Sequence, residues 1–379
     1  MSTKLVKETI YTKDFQAVLE QTKEAWLKDL RESAFAYFTE NGFPTPKNED
    51  WKYTNVASLP ITDYKLQITN SEGETSEFLK QFDFERNGFT ALNLAFADVV
   101  LVTIPKETSV EKPIEFNFKA DENTANFPHV IVVAESGSKA TIIENYESNG
   151  ASFTNSAIQI FVEDNANLTH YRVQKESAEA FHIGTTEISL KRGSFYNSTN
   201  INLGAKLSRH DIHLKFTAEG SEAFVDGLYM LSGNQHHDTH STIDHQLPNC
   251  VSHQNYKGVL NDKSRGVFNG KVFVRENAHG TDAKQSNKNL LMSNDARVDT
   301  KPQLEIYNDD VKCAHGATVG QLEEEELFYL LSRGLNESLA RNLLTYGFAE
   351  EIVNKIGIES IKKQLDEAVL NRLNANLEA

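Results

Sequence analysis

Cysteine is scarce: Cys250 and Cys313 are the only two among 379 residues. They stand far apart with no framework around them, which excludes a disulfide-stapled secreted domain and fits a reducing compartment. No stretch approaches the roughly 20 apolar residues that span a bilayer. Residues 1–16 mix Lys, Glu and Asp with apolar side chains and lack an apolar h-region, so no secretory signal is read there. A cytoplasmic location is expected. Bases are short as well, with 38 Lys and Arg against 54 Asp and Glu, for a net charge of −16. Phosphate backbones are held by clustered Lys and Arg, so nucleic acid is not an expected partner, and neither is a membrane. Also missing are a P-loop, a dinucleotide fingerprint and a Gly-x-Ser-x-Gly elbow. The acidic runs at Asp309-Asp310 and residues 323–326 do not make the separated carboxylate pair of a glycosidase. Glutamates at a helix start are explained by the helix dipole.

What is present is a folded-protein composition, 39% hydrophobic and 24% charged, with length for two to three structural units. Residues 13–40 place Phe15, Val18, Leu19, Trp26, Leu27, Leu30, Ala34, Phe35 and Phe38 at steps of three and four, which predicts one amphipathic helix. Asn41-Gly42 stops it, and Pro44 and Pro46 prevent a restart. The polar segment 48–58 carries two aromatics and has no role readable from its chemistry. From about Phe89 to about Val319 short branched runs alternate with polar turns: 99–104, 130–133, 158–162, 168–173 and 212–216 read as strands. No crossover helices intervene, which excludes a doubly wound α/β fold.

The turns recur. Gly137, Asn165, Gly193, Gly220, Asn249 and Asn277 follow one another at about 28 residues, the spacing of a solenoid. Gly and Asn suit a corner that needs positive φ. Stacked coils of a β-helix are the favoured reading, with an evenly spaced β-sandwich as the alternative. Past Gln321 the chain is helical again. Residues 323–332 end at Gly334, Asn336 caps a helix running to about Tyr346 and closed by Gly347, and Ser360 caps 361–373. This tail docks a partner, caps the solenoid's open end, or both. The expected division is a helical domain at 1–88, a β-helix core at 89–320 and a helical domain at 321–379.

Two clusters carry possible chemistry. Cys313 and His315 are two apart, so in a strand they share one face. Thiolate and imidazole suit zinc, copper or an iron–sulfur cluster, but two ligands are half of a site. The plainer alternative is a buried thiol beside a hydrogen-bonded histidine. In the second cluster His236, Asp238 and His240 share a strand face, with His237 opposite and His245 beyond. A cupin-like metal enzyme would use such a set. A polar strand face or a subunit contact is the simpler alternative.

From His237 onward the chain resembles the SufB/SufD family of iron–sulfur cluster assembly proteins. The residues that carry it are His237-Asp238 and His240, Asp244-His245, Pro248-Asn249-Cys250, Tyr256-Lys257-Gly258, Ser264-Arg265-Gly266-Val267-Phe268-Asn269-Gly270-Lys271, Thr281-Asp282-Ala283, Asn289-Leu290-Leu291, Thr300-Lys301-Pro302-Gln303-Leu304-Glu305-Ile306, Asp309-Asp310-Val311-Lys312-Cys313, His315-Gly316-Ala317-Thr318-Val319-Gly320 and Leu327-Phe328-Tyr329. Asn48-Glu49-Asp50-Trp51-Lys52-Tyr53-Thr54 fits the family's N-terminal motif, and residues 59–230 match only in texture. SufB-type relatives flank the histidine with glutamates where this chain has Ala314 and Gly316, and carry a cysteine at the position of Ser286. Cys313 with His315 and Gly316 follows the SufD branch, from which Ala278-His279-Gly280 departs. The resemblance implies a mainly β protein, a right-handed parallel β-helix flanked by N- and C-terminal helical domains. It implies a non-catalytic scaffold that pairs with SufB through the β-helix and binds the ATPase SufC through the C-terminal domain. Cys313 and His315 would then lie at the SufB junction and share a transient iron–sulfur cluster with it, while the isolated chain binds no cofactor stably. A lone chain would have an unpaired sheet edge, which favours a homodimer. A cupin-like metal enzyme and a carbohydrate-active β-helix are the rival functions.

Overall fold

The recurring Gly and Asn positions are the corners of a solenoid. In the computed structural model, which describes residues 2–57, 59, 64–67 and 76–372, Gly137, Asn165, Gly193, Gly220 and Asn249 have φ of 69°, 58°, 62°, 70° and 56°. Each donates its N–H to a carbonyl of the following coil: Gly137 to Asp164 at 2.9 Å, Asn165 to Arg192 at 2.8 Å, Gly193 to Glu219 at 3.1 Å, Gly220 to Pro248 at 3.1 Å and Asn249 to His279 at 2.8 Å. Ser58 and Leu373, which end two of the expected segments, lie outside the described residues.

In chain order the elements are α1 (Ser2–Gln21), α2 (Ala25–Asn41), β1 (Lys65–Gln67), α3 (Ser76–Leu79), α4 (Gly88–Phe96), β2 (Asp98–Ile104), β3 (Ile114–Ala120), β4 (Thr124–Asn126), β5 (Pro128–Ala134), β6 (Lys139–Ser148), β7 (Phe153–Val162), β8 (Asn167–Gln174), β9 (Phe181–Leu190), β10 (Phe195–Asn202), β11 (Leu207–Phe216), β12 (Glu222–Leu231), β13 (His236–His245), β14 (Val251–Leu260), β15 (Arg265–Val274), β16 (Thr281–Leu291), β17 (Arg297–Ile306), β18 (Val311–Gly320), α5 (Glu324–Ser332), α6 (Glu337–Val353) and α7 (Glu359–Arg372). Odd strands from β5 to β17 stack in one sheet and even strands from β6 to β18 in another. Neighbours along each stack are parallel, as in Phe153 opposite Phe181 and Ala283 opposite Cys313. That excludes the β-sandwich of hairpins, whose pairs are antiparallel. The fold is a mainly β parallel solenoid of about eight turns with helices at both termini.

Because facing positions repeat from coil to coil, like residues stack. Val132, Ile160, Ile188, Leu214, Ile243 and Val272 form one buried interior ladder. Each such side chain contributes about 1.5–3 kcal/mol on leaving water. The interior also holds buried polar pairs: His170 Nε2 lies 2.5 Å from Glu144 Oε1, and His182 Nδ1 lies 2.9 Å from Glu176 Oε2.

Several expectations change. The last corner is Gly280 (φ 69°), not Asn277, because the coil from Val251 to its partner Asp282 is longer than the earlier ones and moves the turn along. The single helix over 13–40 is two, α1 and α2. Their turn is fixed by Thr22, whose hydroxyl donates to Val18 O at 2.8 Å and accepts from Arg31 Nη1 at 2.6 Å. That reversal stacks Phe15 on Phe35 at 4.0 Å. Phe89 begins no strand but lies in α4, because the Asn87 side chain accepts from Phe89 N at 2.8 Å and Thr90 N at 3.2 Å while Thr90 Oγ1 accepts from Asn87 N, a reciprocal cap. Gly347 does not close a helix; α6 runs through it to Val353.

The helices cover faces, not ends. α4 packs on the outer face of the first sheet with Phe153, Phe181 and Leu207. α6 and α7 bury Ala349, Ile352, Val353, Leu365 and Val369 against Tyr171, Val173, Ile201 and Leu228 on the outer face of the second. The expectation that the tail caps the solenoid therefore fails. Among the described residues β17 pairs only with β15 and β18 only with β16, so both outer edges are open.

Corner chemistry separates two glycines. A Cβ at Gly193 would sit 2.6 Å from Asn165 Oδ1, whereas one at Gly220 meets nothing within 4 Å. Gly220→Ala should cost only the left-handed backbone penalty, about 1–2 kcal/mol, and Gly193→Ala measurably more. Urea unfolding of the two variants checks this; equal losses would remove the Asn-over-Gly contact as a reason for the alternation.

Candidate functional site

Strand β13 lays His236, Asp238 and His240 on the outer face of the first sheet, as the spacing predicts, but the N-terminal segment occupies them. Thr54 Oγ1 lies 2.8 Å from His236 Nε2 and donates to Asp238 Oδ2 at 2.5 Å. Arg209 Nη1 donates to Asp238 Oδ2 at 2.8 Å, and His240 Nε2 lies 3.0 Å from Asp238 Oδ1. The Arg209 guanidinium also grips Asp211 through Nε and Nη2 at 3.0 and 2.7 Å, and stacks on the Trp51 ring at 3.8 Å. Burial alone would raise the Asp238 pKa, but His240, Arg209 and the Thr54 hydroxyl hold it well below the carboxylate range. Burial would lower Arg209, and Asp211 with Asp238 outweigh it. Lys271 Nζ to Asp50 at 3.0 Å and Lys301 Nζ to Glu49 at 3.1 Å complete the dock. His237 points inward and bonds Ser208 Oγ at 2.8 Å. His245, also inward, lies 2.7 Å from Ser252 Oγ. With Asp238 already neutralised by a guanidinium, this cluster is a poor divalent cation site. Among the described residues no group of three or more His, Cys, Asp or Glu is placed to hold a metal ion. The polar segment after residue 48, opaque in the sequence, is the clamp that seats the N-terminal helices.

Cys313 and His315 lie on β18, the last strand of the second sheet. Cys313 is in register with Ala283 and His315 with Gln285. Ala283 and Gln285 are buried interior residues, so thiol and imidazole belong to the inward face at the open end. Cys313 is half-buried against the apolar interior, while His315 and every residue after it on the strand are exposed. Burial pushes the Cys313 thiol up, with Asp282 adding to the shift and the Ala283 backbone opposing it. Alone, the pair is therefore a protonated thiol beside a solvated imidazole, two donors facing out of an unfinished stack. Cys250, by contrast, is fully buried, its Sγ donating to the Ala218 and Pro248 carbonyls at 3.4 Å.

A family model described as the SUF system FeS cluster assembly SufBD core domain matches residues 116–348, and a SufBD N-terminal region model matches residues 6–78. The chain belongs to the SufBD family. An iron–sulfur cluster assembly SufBD family protein of Synechocystis is 35% identical over 362 residues, 91% of this chain and 78% of that protein. The iron–sulfur cluster assembly protein SufD of Escherichia coli is 38% identical over 253 residues, 66% of this chain and 60% of that protein. SufD of Bacillus subtilis is 27% identical over 436 residues, 96% and 98%. This SufBD chain is thus an iron–sulfur cluster assembly protein of the SUF system. Among its described residues no helix is long and apolar enough to cross a membrane.

The clamp makes a prediction with a sign. Arg209→Met leaves Asp211 and Asp238 buried without their cation, which costs about 3–5 kcal/mol. In the parent, Asp238 has a folded pKa below its unfolded one. Its contribution is therefore complete above the unfolded value and lost only as pH falls through the folded one. In the variant Asp238 keeps only His240 and the Thr54 hydroxyl against its burial, so its pKa rises and protonation relieves it at a higher pH than in the parent. Urea melts of both proteins from pH 7 to pH 4.5 should show the gap closing as pH falls; a constant gap would mean that Arg209 acts by packing on Trp51 alone.

Proposed function

We propose that this SufBD chain is a non-catalytic scaffold of iron–sulfur cluster assembly that pairs with SufB through its β-helix and holds the ATPase SufC through its C-terminal helices. The observation that carries the reading is the open end of the solenoid. An uncovered strand edge presents a row of backbone donors and acceptors to a second sheet, and this edge bears a soft thiol and an imidazole on its inward face. Two donors are half of a ligand set, and SufB supplies the rest. The cluster is cargo, held transiently at the junction and not by the isolated chain.

The parts divide as a helical unit at 1–88, a β-helix core at 89–320 that opens with α4 packed on its outer face, and a helical unit at 321–379. The coil takes the right-handed sense that parallel crossovers adopt in nearly all sheets. α5 supports the SufC assignment: Phe328 is 72% exposed and Tyr329, under the Arg333 guanidinium, is 55% exposed, an exposed aromatic surface. ATP binding brings two SufC subunits together, and their motion passes through the helices to the junction. Opening there exposes Cys313 beside His315, and a thiol that leaves an apolar wall becomes a better thiolate. Without SufB the same edge pairs with a second copy of the chain, giving a homodimer. The net charge of −16 and the two unpaired thiols fit a cytoplasmic protein with neither nucleic acid nor membrane as partner.

Cluster yield on the complex reconstituted from this chain, SufB and SufC tests the site. Cys313→Ala and His315→Ala should each lower the yield several-fold while the complex keeps its mass. Undiminished yield from both would end the ligand role. Separately, Phe328→Asp should abolish co-purification with SufC and leave both the melting temperature and SufB binding unchanged, because so exposed a ring adds little to the monomer's core.

A further inference from the structure

The interior column that ends at His315 carries two stacked amides after Val225. Gln254, Gln285 and His315 occupy equivalent places on β14, β16 and β18. Gln285 Nε2 donates to Gln254 Oε1 at 2.7 Å. Gln285 is 3% exposed, yet its Oε1 is buried with no hydrogen-bond partner. A buried amide oxygen left unpaired is destabilising, so an orphan beside a candidate ligand marks a place where a donor is still to arrive. Stacked amides run in one direction, each N–H donating to the carbonyl before it. Gln285 Oε1 is thus the terminal acceptor of the ladder, and the next coil offers the His315 ring in register with it.

The opposite wall fixes the amide. Gly270 on β15 faces it across the interior, and a Cβ there would overlap Gln285 Nε2 and come within 3.0 Å of Phe268 Cε1. Gly270 has no positive φ that would call for glycine. What calls for it is the side chain of Gln285 lying across it.

We propose that Gln285 is the positioning residue of the junction. When a partner covers the open end, its Oε1 accepts one ring N–H of His315, so the other ring nitrogen turns its lone pair toward the iron of the growing cluster. No proton is gained or lost: the neutral imidazole keeps one N–H, and the hydrogen bond fixes which nitrogen carries it. A histidine ligand oriented through its second nitrogen in this way commonly binds metal 10–100-fold better than an unoriented one. The inference rests on the reading of His315 as a cluster ligand.

The test uses the full chain in complex with SufB and SufC, with cluster yield read from visible absorption and iron content. Gln285→Met, similar in length but without an acceptor, should lower the yield on the order of ten-fold. Gln285→Glu keeps acceptor oxygens, and the unpartnered Nε2 of Gln254 can turn to face them, so it should retain at least half the parent yield. Gly270→Ala displaces the amide from across the core and should fall with Gln285→Met. Should Gln285→Met fail to assemble, the contrast between Gln285→Glu and Gly270→Ala decides, and equal yields from those two overturn the proposal. If His315→Ala lowers the yield while Gln285→Met in an intact complex does not, positioning is overturned and the ligand reading stands. If Gln285→Met and Gln285→Glu fall alike, the acceptor argument is overturned as well. If His315→Ala leaves the yield unchanged, the ligand reading fails and takes this inference with it.

Discussion

Every coil of this protein is completed by the next one. The strand N–H and C=O groups, and the corner amides at Gly137, Asn165, Gly193, Gly220, Asn249 and Gly280, find their partners one coil further along the stack. A parallel stack built this way satisfies its interior and never its ends. Most of the molecule's character follows from that. The long faces are covered by its own helices, α4 on one sheet and α6 with α7 on the other, while the last coil, β17 with β18, is left with open edges. An uncovered rung at the end of a stack is an unsatisfied surface that does not unfold the molecule, because the coil beneath already supports it.

The coil period is legible in the sequence for a steric reason. A corner with φ near +60° tolerates few side chains, so Gly and Asn mark it wherever it recurs. The same logic explains the slip at Asn277. Asn is a marker only where the coil length is constant, and the later coils lengthen from Val251 to Asp282 and from Arg265 to Arg297. Helix ends fared worse, because Gly347 is only weakly disfavoured in a helix interior and tertiary packing of α6 overrides that preference. The break at Thr22 depends on Arg31, which reaches the Thr22 hydroxyl at 2.6 Å and the Ala97 carbonyl at 2.8 Å. No local pattern reports a contact made with residue 97.

The two histidine clusters show how spacing gives adjacency without role. Alternation alone places His236, Asp238 and His240 on one face and Cys313 with His315 on another. What divides them is what lies across from each. Asp238 faces Arg209, brought from the neighbouring strand, and Thr54, brought from far earlier in the chain, so its charge is matched inside the protein. The stacking of Arg209 on Trp51 joins residues too distant for any sequence window. Cys313 and His315 lie on the inward face of the last coil, and among the described residues no further strand stacks on it.

That difference governs chemistry. A half-buried thiol against an apolar wall, with Asp282 nearby, keeps its proton, and a protonated thiol is neither a nucleophile nor a good ligand. The isolated open end is therefore chemically quiet although both donor atoms are in place. Under the proposed ligand role, activation comes from outside the chain, as cations or iron that stabilise the thiolate, or as a seam that moves Cys313 off its wall. Burial of the thiol and exposure of the imidazole thus act together. In the proposed role the site is held inactive by desolvation, offers its uncovered edge for recognition, and takes its remaining ligands from a second surface.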